Sequence, residues 1–335
     1  MTTPRIAFVP GMKPKPRPGP HKRELLRTIV AGLAWTRPDA ARLLRDNEDL
    51  FTLVSWTYRF YGCWRDAALD VPGVERLLHE PEPSDADRRE IDSAARRVRR
   101  LWHLVGDALP FLGRLVARPE LRLTISEVLR YFNDEDGVAS EIRGLLKAVL
   151  QQAWRSNERV LLIGHSLGSV IAYDTLWELS HQERDAGRVE LFMTLGSPLA
   201  TRFIRRLLRG ADRRGAERFP TNIDRWVNFA AQGELTALRP MQPYYSRMLA
   251  LGSIESIEDE LELYNHFRGP RGLNVHMSYG DLVNPAVAAR IGDWLVAAAQ
   301  PEASAAPALA AERPAGGSAR RGPRAKCVIA AAAEF

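Results

Sequence analysis

Short apolar runs recur along the chain, separated by longer stretches in which apolar residues return every three or four positions. The runs at 5–9 (RIAFV, ended by Pro10-Gly11), 51–57 (FTLVSWT), 159–164 (RVLLIG), 188–195 (RVELFMTL), 225–230 (RWVNFA) and 260–266 (ELELYNH) each predict a strand. Helical spacing predicts helices near 22–35 and over 138–155, 169–183, 198–209 and 284–299. Near-continuous apolar runs suit strands covered on both faces. Strands alternating with helices imply right-handed crossovers and a mostly parallel sheet. The expected fold class is α/β, with a six-stranded sheet flanked by helices.

One connection is oversized. About 100 residues separate the second and third runs, where a helical crossover needs only a few tens. The surplus is polar at 80–100 and amphipathic at 101–117 (LWHLVGDALPFLGRLVA), which predicts a helical insertion over 75–130 packed on the main domain. Its apolar face includes Trp102, Leu109 and Phe111. Such a face either packs on the domain or serves as a lid that meets substrate or a membrane surface. Residues 301–335 are rich in Ala, Pro, Gly, Ser and Arg without periodic apolar positions, which predicts a disordered tail beyond a domain of residues 1–300. No internal repeat is present.

The third run leads directly into Gly164-His165-Ser166-Leu167-Gly168, a G-x-S-x-G pattern followed by a helical stretch. A serine at the apex of a sharp strand-to-helix turn has its hydroxyl lifted clear of the backbone. Flanking glycines let strand and helix approach closely. The Leu167 N–H then lies at a helix N-terminus, where partial positive charge favours an oxyanion. The plain alternative is a loop of small residues.

A serine hydroxyl attacks only when a base takes its proton. Of seven histidines, His21, His79, His103 and His181 lie in polar segments, the insertion or a helix end. His165 adjoins the serine, with its side chain expected to point away from it. His266 is expected within the last strand. His276 lies in the loop before the final helix, at the end of the sheet where ligands gather, and is the expected base. The third member of such a triad orients the imidazole and stabilises its charged form. Glu234, in a Gly-Glu turn after the fifth strand, is the expected acid, and Asp281 competes with it. Asp224 precedes that strand, at the wrong end of the sheet.

In the order Ser166, Glu234, His276, the chain resembles the α/β-hydrolase superfamily. "LLIGHSLGSVIAYDTL" is similar to the nucleophile elbow of its lipase- and esterase-like members. "LGSPL" (195–199), "WVNF…GELTAL" and "NVHMSY" resemble its next strand end, its acid segment and its histidine loop. The likeness covers about residues 1–300 outside the insertion. The acid is Glu where the family more often has Asp, and the first run matches what would be the family's third strand, so the resemblance implies its compact six-strand version. The resemblance also gives "FVPGM" (8–12) a role, with Met12 and Leu167 as backbone oxyanion donors, although Pro10 stands where relatives commonly carry His. It implies a serine hydrolase acting on a small-molecule or lipid carboxylic ester without metal or organic cofactor. Thioester or amide cleavage and acyl transfer use the same parts. A non-catalytic binding protein on the same scaffold is the alternative from another class.

Composition narrows this further. At 335 residues and 45% hydrophobic, the chain can bury a large core. Two cysteines, Cys63 and Cys327, make neither a disulfide framework nor a metal site. The first residues carry no secretory pattern and no apolar run is long enough to span a bilayer, so a cytoplasmic location is expected. The net charge is +6, with seven arginines between Arg202 and Arg218. Those arginines either form a solvated basic face or attract anionic lipid or a phosphorylated substrate. Nucleic acid is not an expected partner, because no recognised motif is present and basic residues are interspersed with acids.

Overall fold

The computed structural model describes residues 3–80, 82–105, 119–234, 237 and 239–300. Six strands, β1 (Pro4–Val9), β2 (Phe51–Leu53), β3 (Arg159–His165), β4 (Val189–Leu195), β5 (Ile223–Ala231) and β6 (Ser256–Leu263), pair in parallel throughout, in the order β2-β1-β3-β4-β5-β6.

The period of two along each strand feeds two separate cores. Ala7 and Val9 of β1, Val160 and Leu162 of β3, and Phe192 of β4 point into one core. The helices Val138–Arg155, Leu167–His181 and Gln242–Ala250 close it. Ile6, Phe8, Leu161, Ile163, Leu191 and Met193 point into the other, which the helices Pro18–Thr36, Pro38–Asp46 and Pro285–Ala299 close. Two buried faces explain why these strands read as unbroken apolar runs rather than as alternation.

The edges differ from the sequence expectation. β2 is three residues long, not seven: after a last bond to β1, from the Val54 N–H to Phe8 O, the chain turns into a helix from Thr57 to Tyr61. β6 begins four residues before the expected 260 and ends at Leu263, so His266 lies beyond it. The expected helix over 198–209 is a 3-10 turn at Pro198–Ala200 and a short helix at Arg202–Leu207.

The long connection from β2 to β3 contains helices at Val71–His79, Asp85–Val105, Pro119–Asn133 and Val138–Arg155. Trp102 falls in the second of these. Leu109, Phe111 and the 301–335 tail lie outside the described residues. Among the described residues no helix is long and apolar enough to cross a membrane.

The strand order places the site. From β1 the chain moves outward to β2, then returns past β1 to β3 and runs on to β6. The crevice between the carboxyl ends of β1 and β3 is therefore the switch point of the sheet, where ligands of open α/β sheets bind. Val9 pairs with Gly164 there, so Pro10-Gly11-Met12 and His165-Ser166 leave the sheet side by side.

Candidate active site

Ser166 occupies the single residue between β3 and the helix Leu167–His181, with φ 53° and ψ −126°. A non-glycine residue there stores on the order of 1–3 kcal/mol of strain. Its N–H donates to Leu195 O at 2.9 Å, and its carbonyl accepts from Ser169 N–H at 3.0 Å. The helix after it is buried from Leu167 to Leu179, all round rather than along one stripe. The flanking glycines are needed for clearance. A Cβ on Gly168 would stand 2.2 Å from Val9 O, and one on Gly164 2.6 Å from Ser169 Cα. Gly168→Ala is expected to lower unfolding free energy by about 3 kcal/mol, since the obstructing atom is backbone in a central strand. Urea denaturation measures this, and an unchanged midpoint would contradict the packing described.

The three sequence-predicted residues converge. His276 Nε2 lies 2.9 Å from Ser166 Oγ, and His276 Nδ1 lies 3.0 Å from Glu234 Oε1. A carboxylate only accepts, so Nδ1 carries the proton and Nε2 is free to accept from the serine hydroxyl. Glu234 is held by the turn after β5. Its N–H donates to Ala231 O at 3.2 Å, and its Oε2 accepts from Ala231 N–H at 3.3 Å. Gly196, at the end of β4 with φ 54°, leaves room for both partners, because a Cβ there would be 2.8 Å from Glu234 Oε1 and from His276 Nδ1. The Glu234 side chain is 1% exposed and that of His276 34%, so solvent reaches the triad over the imidazole.

The remaining described histidine side chains are engaged elsewhere. His79 bonds to Glu75 O, His181 to Phe219 O and His266 to Glu80 O. His21 is buried edge-on against Tyr279. His165 departs from expectation. Its ring does not leave the site but lies 4.9 Å from that of His276, with neither nitrogen hydrogen-bonded. Burial, reinforced by neighbouring His276, pushes its pKa well below the usual imidazole range, so it is neutral.

Asp281 lies behind the triad rather than in it. Its Oδ1 accepts from Asn265 Nδ2 at 2.7 Å, and its Oδ2 is 3.7 Å from His165 Nε2 without a hydrogen bond. Burial first, then the charge of Glu234, raise its pKa well above the usual carboxyl range.

The β1 loop is pinned on both sides of Met12. Trp56 Nε1 donates to Pro10 O at 2.8 Å, and Lys13 N–H donates to Tyr61 Oη at 3.0 Å. Lys13 is left-handed, with φ 74°, and its Nζ pairs with Glu127 at 2.5 Å. A Cβ on Gly11 would be 2.9 Å from Ser166 Cβ, so this loop runs against the serine. Among the described hydrogen bonds, neither Met12 N–H nor Leu167 N–H has a protein acceptor. Sequence reasoning missed Trp56, Tyr61, Asn265 and the inward turn of His165. None carries a local signal, since each acts through a partner distant in sequence.

A cavity of about 270 Å³ opens elsewhere, beside the elbow helix, lined by Tyr131, Arg143, Asp174, Trp177, Arg209 and Arg213. Asp174 bonds to Tyr131 Oη and Arg209 N–H there, and burial raises its pKa to about 6. None of the triad residues lines it. Among the described residues no group of three or more His, Cys, Asp or Glu is placed to hold a metal.

No known family model, no curated protein and no solved structure matches this chain.

Proposed function

We propose that this protein is a serine hydrolase of α/β-hydrolase type that cleaves a carboxylic ester of a small molecule or lipid. The observation that carries the reading is the continuous chain from Ser166 Oγ through His276 to Glu234 at 2.9 and 3.0 Å, seated at the switch point of a parallel sheet. Ser166 Oγ attacks the ester carbonyl carbon while its proton passes to His276 Nε2. Glu234 stabilises the imidazolium through Nδ1–H. The oxyanion accepts from the N–H groups of Leu167 and Met12, the first with the helix N-terminus behind it. The intermediate collapses to an acyl-serine, and the alcohol leaves with the proton from Nε2. Water then attacks the acyl carbon, again losing its proton to His276, and the carboxylic acid is released. Trp102, Leu109 and Phe111 are the proposed substrate-side contacts. Cys63 is an exposed free thiol, which fits a reducing, cytoplasmic setting.

A fluorophosphonate probe tests this directly. Wild type is expected to be labelled and Ser166→Ala not. Folded wild-type protein that stays unlabelled would overturn the reading. A p-nitrophenyl ester series separates lipid from short-chain substrates, and a steady rate loss beyond short acyl chains would remove the lipid version.

The pinned loop gives a second test. Tyr61→Phe releases Lys13 N–H while leaving the ring in place. Oxyanion contacts strengthen only in the transition state, so kcat should fall about tenfold with KM little changed. A change confined to KM would contradict a role for Met12.

A further inference from the structure

One short segment after β4 is strongly basic. Residues 202–214 hold six arginines against one aspartate, a local net charge of +5. Arg209 pairs with Glu178 at 3.2 Å and Arg213 with Asp212 at 3.8 Å, while Arg205 stacks over the Tyr244 ring at 4.0 Å. Arg202, Arg206 and Arg214 are exposed, and no carboxylate lies within ion-pair distance of them among the described residues. Elsewhere Arg5 pairs with Glu158 and Arg290 with Glu258.

Between these arginines stands Phe203, 48% exposed. The segment leaves the carboxyl end of β4, six residues after Gly196, which abuts both His276 and Glu234. A second exposed apolar side chain, Leu123 at 55%, lies on the helix Pro119–Asn133, whose Glu127 holds Lys13 beside Met12. Both apolar side chains therefore project from elements anchored to the loops of the site.

We propose that the Arg202–Arg214 segment is a docking surface for an anionic phospholipid bilayer, with Phe203 as the inserting side chain. Unpaired guanidinium groups match lipid phosphates. Each basic residue near an anionic surface adds on the order of 1 kcal/mol of attraction, and an aromatic side chain among them enters the interface. The choice of a bilayer over another polyanion rests on the ester-hydrolase reading, because the segment starts after the carboxyl end of β4, the end of the sheet that carries Ser166, and a bilayer is a source of lipid esters.

The test is vesicle co-sedimentation of the full chain carrying Ser166→Ala, so that no lipid is consumed. Vesicles are phosphatidylcholine alone or mixed with phosphatidylglycerol, at low and high salt. The protein is expected to pellet with the anionic vesicles at low salt and to be released by high salt. Arg202→Glu with Arg206→Glu should lower the bound-to-free ratio at least about tenfold. The milder pair Arg202→Ala with Arg206→Ala should lower it less. Phe203→Ser should weaken binding to the anionic vesicles several-fold at low salt. In an otherwise wild-type background these variants should still turn over a soluble p-nitrophenyl ester. Equal binding to both vesicle types, undiminished binding by the charge-reversed pair, or capture by an oligonucleotide in place of vesicles overturns the surface. Wild type that takes the fluorophosphonate label but ignores vesicles overturns the surface alone. Wild type that binds vesicles but takes no label overturns the hydrolase reading alone.

Discussion

Ser166→Ala is expected to lower kcat on a soluble p-nitrophenyl ester by about five to six orders of magnitude, with KM nearly unchanged. In the proposed mechanism the hydroxyl forms the covalent bond, and the neighbouring serine hydroxyl is engaged elsewhere. Ser169, one turn along, spends its hydroxyl on Ser166 O at 2.6 Å and Ser197 Oγ at 2.7 Å. Removing Oγ leaves a void too small to disturb the elbow, which its glycines and the Ser166 N–H to Leu195 O bond fix. Folding should therefore survive. The backbone strain at this residue gives a sharper comparison. Only glycine adopts φ 53°, ψ −126° without penalty, so Ser166→Gly should be more stable than Ser166→Ala by about 1 kcal/mol, although glycine gains more entropy on unfolding. Both variants should be inactive and unlabelled. Residual activity in Ser166→Ala above about a thousandth of wild type would mean that another group performs the attack.

The elbow was legible in the sequence because all its determinants are local. β3 had to be apolar on both faces, the turn needed glycine where backbone meets backbone, and the helix starts without a side-chain cap. β3 and β4 fall within a residue of the apolar runs that predict them for the same reason. β6 was misplaced because it is an edge strand. Its sequence SIEDELEL carries charge where a central strand carries Val or Leu, and Glu258 and Glu260 face Arg290 rather than a second core. Charged edges of this kind also resist pairing with another chain. β2 was overextended because Val54 and Trp56 are apolar for another purpose. Trp56 is fully buried so that its indole N–H reaches Pro10 O, a packing role that imitates a strand pattern.

The triad was legible as types in order, not as contacts. His276 qualifies by its place after the last strand and before the final helix. The 2.9 Å approach to Ser166, however, depends on an antiparallel hairpin at Arg268–Gly269 and Gly272–Leu273 and on Asn274 Oδ1 accepting the His276 N–H. Asn265 shows the limit more clearly. It bonds at once to Asp281 and to Met277 O, tying the histidine loop to the segment after β6. In the sequence it is only one polar residue in "YNHF".

The choice between Glu234 and Asp281 yields the second large effect. Glu234→Gln is expected to reduce kcat about ten-thousandfold, since an amide cannot both accept the His276 Nδ1–H and supply the charge that stabilises the imidazolium. Asp281→Asn should stay within about tenfold of wild type, because Asp281 bonds to Asn265 rather than to His276, and burial beside Glu234 raises its pKa well above the usual carboxyl range, favouring the neutral form that an amide copies in shape. The raised pKa of Asp281 adds a pH signature. An unfolded aspartate ionises near about 3.9. The folded protein keeps the Asp281 proton to well above that value. Over that window the native state binds more protons than the unfolded state, so wild-type stability falls as pH rises. Asp281→Asn has no such proton to hold. Its Tm relative to wild type should therefore shift in its favour between acid and neutral pH, with little such gain below about pH 4. Thermal unfolding of both proteins across that range, beside steady-state kinetics of both variants, decides the matter. If Asp281→Asn lost more activity than Glu234→Gln, the acid of the triad would be Asp281. A Tm difference that does not move with pH would mean that Asp281 ionises freely in the folded protein. The first result would require a working arrangement of the two carboxyls unlike the 3.0 Å bond from His276 to Glu234.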